Sequence, residues 1–184
     1  MNVLHQIPPI WNAQSKVLLL GTMPSPASRN AGFFYMHPQN RFWRVLPAVF
    51  GETLNYTNDG KVINDINSIS NSKNMEAAIT ERQEFLLRHN IALWDVLASC
   101  NIQGAADSSI KNATPNDFTS LFENSKITRV FCTGKTAFNL WQKLCAPEYE
   151  ARFYLKSACL PSTSPANASW RLEQLIEAYK VIIG

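Results

Sequence analysis

Four short apolar runs bounded by turn residues, at positions 16–21, 91–97, 127–132 and 152–159, constrain the fold of this chain more than any other feature. Each is too short for a helix and apolar without clear alternation, which is the pattern of a strand buried on both faces. Helical patterns lie between them, at 42–50, 74–88, 116–124, 135–144 and 169–182. Strands and helices that alternate in this order pack as a sheet covered on both faces. The expected class is therefore α/β: a three-layer α/β/α fold around a parallel or mostly parallel sheet of at least four strands. With 184 residues and a hydrophobic fraction of 46%, the chain suits one domain over 1–184 with a substantial core.

In an open parallel sheet, ligands sit beyond the carboxyl ends of the strands, where the connecting loops converge. That rule selects the long loop after the first run, the loop beginning at Gly134, and the segment 160–167. All three are expected to face one cleft. The stretch 51–72 is polar, rich in Asn and Asp, and reads as an irregular excursion without readable chemistry.

Composition excludes several classes. Cys100, Cys132, Cys145 and Cys159 form no close-spaced pair, and with three histidines the chain has neither a zinc-finger spacing nor a disulfide scaffold. Reduced, mostly buried thiols are expected, with no metal and no organic cofactor. The N-terminal stretch lacks a basic flank and a long apolar core, so no signal peptide is expected. No run approaches the roughly 20 apolar residues of a membrane span. A cytoplasmic, monomeric protein is the expectation. A formal charge of +3 is compatible with a polyanionic partner but does not demand one.

The loop from Gly21 to Trp43 is too long for a simple connection and too aromatic for a disordered one. Phe33, Phe34 and Tyr35 follow Gly32, and a planar ring at the mouth of a crevice can hold an extruded base by stacking. For Phe33 and Phe34, burial in the core is the more ordinary role; Tyr35, nearest to His37-Pro38, is the expected stacking partner. Asn40 stands just before the helical pattern at 42–50, so it can cap that helix, or orient a water or a base edge, or do both. His37 can donate to a leaving group or stabilise its own turn. Ser162, Thr163, Ser164 and Pro165 precede a helix, where hydroxyls and free amides grip phosphate, although a Pro-kinked, serine-capped turn needs the same residues. Gly134-Lys135-Thr136 resembles the end of a phosphate-binding loop, but position 129 is Arg where that loop needs glycine, which argues against a nucleoside triphosphatase. Asp95 reads either as an acceptor facing the cleft or as a structural carboxylate. Arg41 and Arg44 read as phosphate contacts or as solvated helix arginines.

The segment Gly32-Phe-Phe-Tyr-Met-His-Pro-Gln-Asn-Arg-Phe-Trp43 resembles the motif of mismatch-specific enzymes in the uracil-DNA glycosylase superfamily. Gly21-Thr-Met-Pro-Ser25 and Leu160-Pro-Ser-Thr-Ser-Pro165 resemble its first and last motifs, and the pattern is most similar to the DNA-deoxyinosine, or hypoxanthine-DNA, glycosylase branch. The resemblance implies an α/β/α fold around a four-stranded sheet and a partner in double- or single-stranded DNA carrying deaminated bases. It implies a catalytic part for Asn40, with His37 beside it. Gly21, Met23, Pro24, Ser25, Phe33 and Tyr35 would bind the base, and Ser162, Thr163, Ser164, Pro165 and Lys135 the DNA. Other branches carry Asp or Asn at the position of Met23, whose side chain neither activates nor orients water. That departure points away from strong uracil excision and toward hypoxanthine. No lysine lies within either core motif, so hydrolysis without strand-cleaving lyase activity is expected. A broad uracil or mismatch-specific glycosylase, a non-catalytic nucleic-acid-binding module and a flavodoxin-like small-molecule binder are the competing readings.

Overall fold

The computed structural model describes residues 2–104 and 106–183; Met1, Ala105 and Gly184 of the expected 1–184 domain lie outside the described residues. The first half of the chain carries β1 (Asn2–Leu4), β2 (Val17–Gly21), α1 (Pro26–Ala31), α2 (Phe42–Val49), α3 (Ser72–Arg88), β3 (Ile91–Asp95) and β4 (Leu97–Asn101). The second half adds β5 (Lys111–Pro115), α4 (Thr119–Glu123), β6 (Arg129–Thr133), α5 (Lys135–Leu144), α6 (Ala146–Phe153), β7 (Lys156–Leu160) and α7 (Leu172–Tyr179). Short 3-10 helices occupy Asp107–Ser109 and Lys180–Ile182.

The main sheet has the order β3-β2-β6-β7 with every neighbouring pair parallel, as expected from the four apolar runs. Leu18, Leu19 and Leu20 of β2 are wholly buried, and the period of two sends them to opposite layers. Leu18 and Leu20 pack with Phe122, Trp141 and Tyr149 from α4, α5 and α6; Val17 and Leu19 pack with Phe42, Leu46, Phe85 and Leu175 from α2, α3 and α7. Each such leucine contributes about 1.5–3 kcal/mol on burial. A core on both faces holds the carboxyl ends of the strands in place, and the long loops hang from those ends.

Two of the four apolar runs are split in the structure. The apolar run 91–97 is not one strand: β3 ends at Asp95, and Val96 passes the chain into β4 of a second sheet, antiparallel with order β1-β4-β5. Val96 and Leu97 donate backbone hydrogen bonds to Gly21 and Thr22 just past the pairing of β2 with β3, so the strand bends while its side chains remain apolar and buried. The run 152–159 likewise splits. Arg152 and Phe153 finish α6, Tyr154 turns the chain with φ +54°, and β7 begins at Lys156. As an edge strand, β7 is largely exposed, which breaks the continuous apolar pattern that marks a central strand.

Cys100, Cys132 and Cys145 are buried and Cys159 is exposed, all four unpaired. Among the described residues no helix is long and apolar enough to cross a membrane.

Candidate active site

The loops after β2 and β7 converge with Thr133, the last residue of β6, on a cavity at the carboxyl end of the main sheet, while the loop after β6, expected at the same cleft, lines a wider groove beside it. Its floor is built from the last residues of adjacent strands. Gly21 and Asp95 are register partners on β2 and β3. A Cβ on Gly21 would stand 2.2 Å from Asp95 Oδ1 and 2.8 Å from the Tyr35 hydroxyl, so only glycine lets both polar groups reach this point. Asp95 is almost fully buried, and its Oδ2 pairs with His5 Nε2 at 2.9 Å. Its Oδ1 has no hydrogen-bond partner among the described residues and lies beside the cavity.

Tyr35 occupies the left-handed region at φ +57°, an uncommon setting for an aromatic residue and one that turns the ring into the site. One ring face is closed by Phe42, with centroids 4.0 Å apart and planes 9° from parallel. The Tyr35 hydroxyl donates to Thr133 Oγ1 at 2.7 Å, and Thr133 in turn donates to the Leu20 carbonyl. Burial, then the charge of Asp95, pushes the Tyr35 phenol well above its ordinary range, so it stays a protonated donor.

The side-chain oxygen of Asn40 accepts from the Phe42 N–H and from the Thr163 hydroxyl, both at 2.9 Å. The first bond serves the start of α2. Together the two bonds use the oxygen's two lone pairs and fix which way the amide points. The Nδ2 amino group is left without a partner among the described residues; Asn40 lines both this cavity and an apolar pocket beside α2. The N-cap position of α2 is Arg41, whose side chain makes no capping bond, so Asn40 stands one residue before the expected cap and supports the helix start only through the Phe42 N–H; the group it leaves free is a donor.

The backbone around Asn40 is held from the stretch 51–72, which has a role that its sequence did not disclose. Asn58, buried in that stretch, donates through Nδ2 to the carbonyls of His37 and Asn40 at 2.8 and 3.0 Å. Its Oδ1 accepts from the Arg82 guanidinium at 3.2 Å. Arg82, fully buried on α3, also donates to the Ala78 and Tyr56 carbonyls and sits 5.4 Å from the centre of the Trp43 ring. Burial lowers its pKa to about 10, so the guanidinium remains charged at neutral pH.

The remaining predicted residues divide. Met23, Pro24 and Ser25 line the cavity with Gly21 and Tyr35. The Met23 and Ser25 N–H groups have no hydrogen-bond partner among the described residues, while the Ser25 hydroxyl accepts from the Ser28 N–H as the N-cap of α1. Phe33 is not at the cavity: its ring is buried against Phe34 and Trp43, its N–H is used by the Ser28 carbonyl, and Phe34 lines the cavity instead. His37 is not among the lining residues either; its Nδ1 accepts from the Gln39 N–H and its carbonyl closes the turn onto Asn40. Ser162 and Ser164 line both the cavity and a wider neighbouring groove, which Gly134, Lys135, Thr136 and Asn167 also line. Thr163 points inward to Asn40, and Pro165 is exposed at the loop.

Arg41 is neither a free phosphate contact nor a solvated arginine. Its guanidinium donates to the backbone carbonyls of Thr163 (3.3 Å), Ser164 (2.8 Å), Asn167 (3.0 Å) and Trp170, clamping the β7–α7 loop to the turn at 37–40. Arg44 is exposed on α2. Gly134, at φ +116°, is where the β6–α5 turn meets that same loop; a Cβ there would press on Ser162 at 3.2 Å.

Three site residues carried no signal in the sequence reading. His5 reaches Asp95 across 90 positions, Asp107 meets Thr22 of the first motif across 85, and Asn58 lies in a run of polar residues. Thr22 Oγ1 donates to Asp107 Oδ2 at 3.0 Å, and burial followed by the charge of Asp95 raises the Asp107 pKa. Among the described residues no group of three His, Cys, Asp or Glu side chains could hold a metal ion.

A family model described as the uracil DNA glycosylase superfamily matches residues 8–182 of this chain. A protein of Methanosarcina barkeri named hypoxanthine DNA glycosylase is 30% identical over 152 residues, covering 82% of this chain and 84% of that protein. A protein of the same name from Methanosarcina acetivorans is 29% identical over 162 residues, covering 87% and 85%. A solution NMR structure from M. acetivorans, described as a candidate uracil DNA glycosylase, superposes over the whole of both chains with a TM-score of 0.71 at 23% identity, a likeness of fold.

Proposed function

The chain belongs to the uracil-DNA glycosylase superfamily and is a DNA glycosylase, and on that premise we propose that it excises hypoxanthine from deoxyinosine by hydrolysing the N-glycosidic bond. The observation that carries this reading is the polarity of the cavity. Asn40, its oxygen consumed by two bonds, lines the cavity with a free N–H donor, and Asp95 brings a buried acceptor to its floor. Deamination converts the amidine edge of adenine into a lactam, which offers an N–H and a carbonyl oxygen. The Asp95 carboxylate accepts from the lactam N–H, whereas adenine presents a lone pair at that ring nitrogen. The free N–H groups of Met23 and Ser25 donate to the carbonyl and ring-nitrogen acceptors of the base.

The base leaves the duplex to enter the cavity, at a cost of a few kcal/mol that is smallest at a mispair. It stacks on the face of Tyr35 opposite Phe42. Breaking the glycosidic bond places negative charge on the purine and positive charge on the sugar, so preorganised dipoles supply most of the stabilisation. Asn40 Nδ2 donates to the departing purine. Lys135 at the start of α5 and the hydroxyls of Ser162 and Ser164 take the flanking phosphates. No described residue lining the cavity is a lysine, which supports hydrolysis over Schiff-base chemistry.

The test uses duplexes carrying one hypoxanthine, xanthine or uracil, incubated with the protein and a chelator, then treated with alkali. Preferential cleavage at hypoxanthine supports the reading. Uracil also carries a lactam, and equal or faster uracil excision overturns the base assignment. Binding without abasic product from any of the three overturns the catalytic reading. Failure to trap the enzyme on DNA with borohydride is expected of a monofunctional hydrolase.

A further inference from the structure

The cavity and the neighbouring groove meet at a rim, and four residues line both: Asp107, Thr133, Ser162 and Ser164. With the base in the cavity and its phosphates in the groove, the sugar C1′ and the glycosidic bond lie across that rim. Asp107 is the only carboxylate of the four. Its Oδ2 is held by the Thr22 hydroxyl at 3.0 Å, and its Oδ1 has no hydrogen-bond partner among the described residues. Thr22 immediately precedes Met23, whose thioether contributes nothing to water activation. The 3-10 helix at Asp107–Ser109 belongs to the connection between β4 and β5, an entirely separate part of the chain, yet it delivers a carboxylate beside that vacant chemistry.

We propose that Asp107 is the general base that positions and deprotonates the hydrolytic water. This role rests on the glycosylase reading above. In the step, the water oxygen forms a bond to C1′ and its proton passes to Asp107 Oδ1. The C1′–N9 bond breaks, and its electron pair leaves on the purine beneath the Asn40 amino group. The carboxyl proton then passes through solvent to the purine, which restores the carboxylate and leaves an abasic sugar with a neutral base. The negative charge of Asp107 also faces the positive charge that grows on the sugar.

Asp95 from β3 and the Cys100 thiol from β4 are the titratable groups facing Asp107, and Lys135 lines the far side of the groove. Burial and Asp95 together raise its pKa, which makes the carboxylate a stronger base. The sign follows: activity is present while Asp107 is ionised and falls as the pH drops through its raised pKa.

The test compares the full-length wild type with Asp107→Asn and Asp107→Glu in single-turnover excision from a hypoxanthine duplex across pH, alongside duplex affinity and thermal melting. Asp107→Asn is expected to lose about 10²–10⁴-fold in rate, to bind the duplex as wild type does, to melt no lower, and to lose the acid limb that Asp107 imposes. Asp107→Glu is expected to recover part of the rate with a shifted limb. An Asp107→Asn rate within about threefold of wild type, with an unchanged acid limb, overturns the proposal. So does a loss of rate matched by an equal loss of affinity, which assigns Asp107 to DNA grip. A wild type that excises uracil and spares hypoxanthine overturns the base assignment alone, and the same comparison on a uracil duplex then decides the role of Asp107.

Discussion

Thr163→Val separates the inward role of Thr163 from a grip on DNA. Thr163 is 1% exposed and its hydroxyl supplies one of the two donors to the Asn40 side-chain oxygen, at 2.9 Å. Valine keeps the shape and removes that donor. The lost bond is worth about 1 kcal/mol, and a buried oxygen left half-satisfied brings the total to about 1–3 kcal/mol. For a chain of this length that lowers Tm by about 2–12 °C, and a typical margin of about 5–15 kcal/mol keeps the protein folded. The effect on catalysis arises because the Asn40 amide, held by the Phe42 N–H alone, is no longer fixed in one orientation. Single-turnover excision is expected to fall about 10–100-fold, or about 1.4–2.7 kcal/mol of transition-state stabilisation, with duplex affinity unchanged. In an Asn40→Ala background, Thr163→Val should cost nothing further in rate, because residues that act through one another are not additive. Equal losses in both backgrounds, or a reduced affinity with a shallower salt dependence, would refute the coupling and return Thr163 to the phosphate-binding role expected from sequence.

Asn40→Ala should abolish most turnover while retaining duplex binding, and should lose about 1 kcal/mol with its bond to the Phe42 N–H; a variant that melts lower but turns over normally makes Asn40 a structural residue alone. Arg41→Met removes guanidinium bonds to four carbonyls and is expected to cost about 2–4 kcal/mol and expose the 161–171 loop to protease, and wild-type melting with wild-type proteolysis sinks the clamp. Gly21→Ala forces Asp95 Oδ1 and the Tyr35 hydroxyl aside. Its expected signature is lost excision with a lower Tm, and normal kinetics would show that neither group needs its present position.

Much of the fold was legible because β2, β3 and β6 are buried on both faces, so their apolar runs are continuous. The errors fall where that logic lapses. Val96 redirects the chain between two sheets without any change in hydrophobicity, and β7 is an edge strand whose exposed positions blur its start. The predicted residues that line the cavity lie in dense local patterns: Gly21, Met23 to Ser25, Tyr35, Asn40, and 162–164. The Phe33 ring lies in the core, as its apolar setting suggests, but its N–H, expected at the base, is taken by the Ser28 carbonyl, a bond that the aromatic triplet does not reveal. Asn58 and Asp107 are lone polar residues in polar segments, with nothing nearby in the chain to mark them.

The sequence by itself determined the layered α/β class, the family to which the chain is similar, and the loops from which the site is built, because strand burial, helical period and a twelve-residue motif are all local properties. Only the tertiary structure decided which atoms those loops present. Asn40 offers a donor because Thr163 and the start of α2 consume its oxygen. Asp95 is held by His5, Arg41 is drawn into a clamp, and Asp107 arrives from a distant connection. Hydrogen-bond direction and charge environment depend on contacts between segments far apart in the chain, and no periodicity along it encodes them.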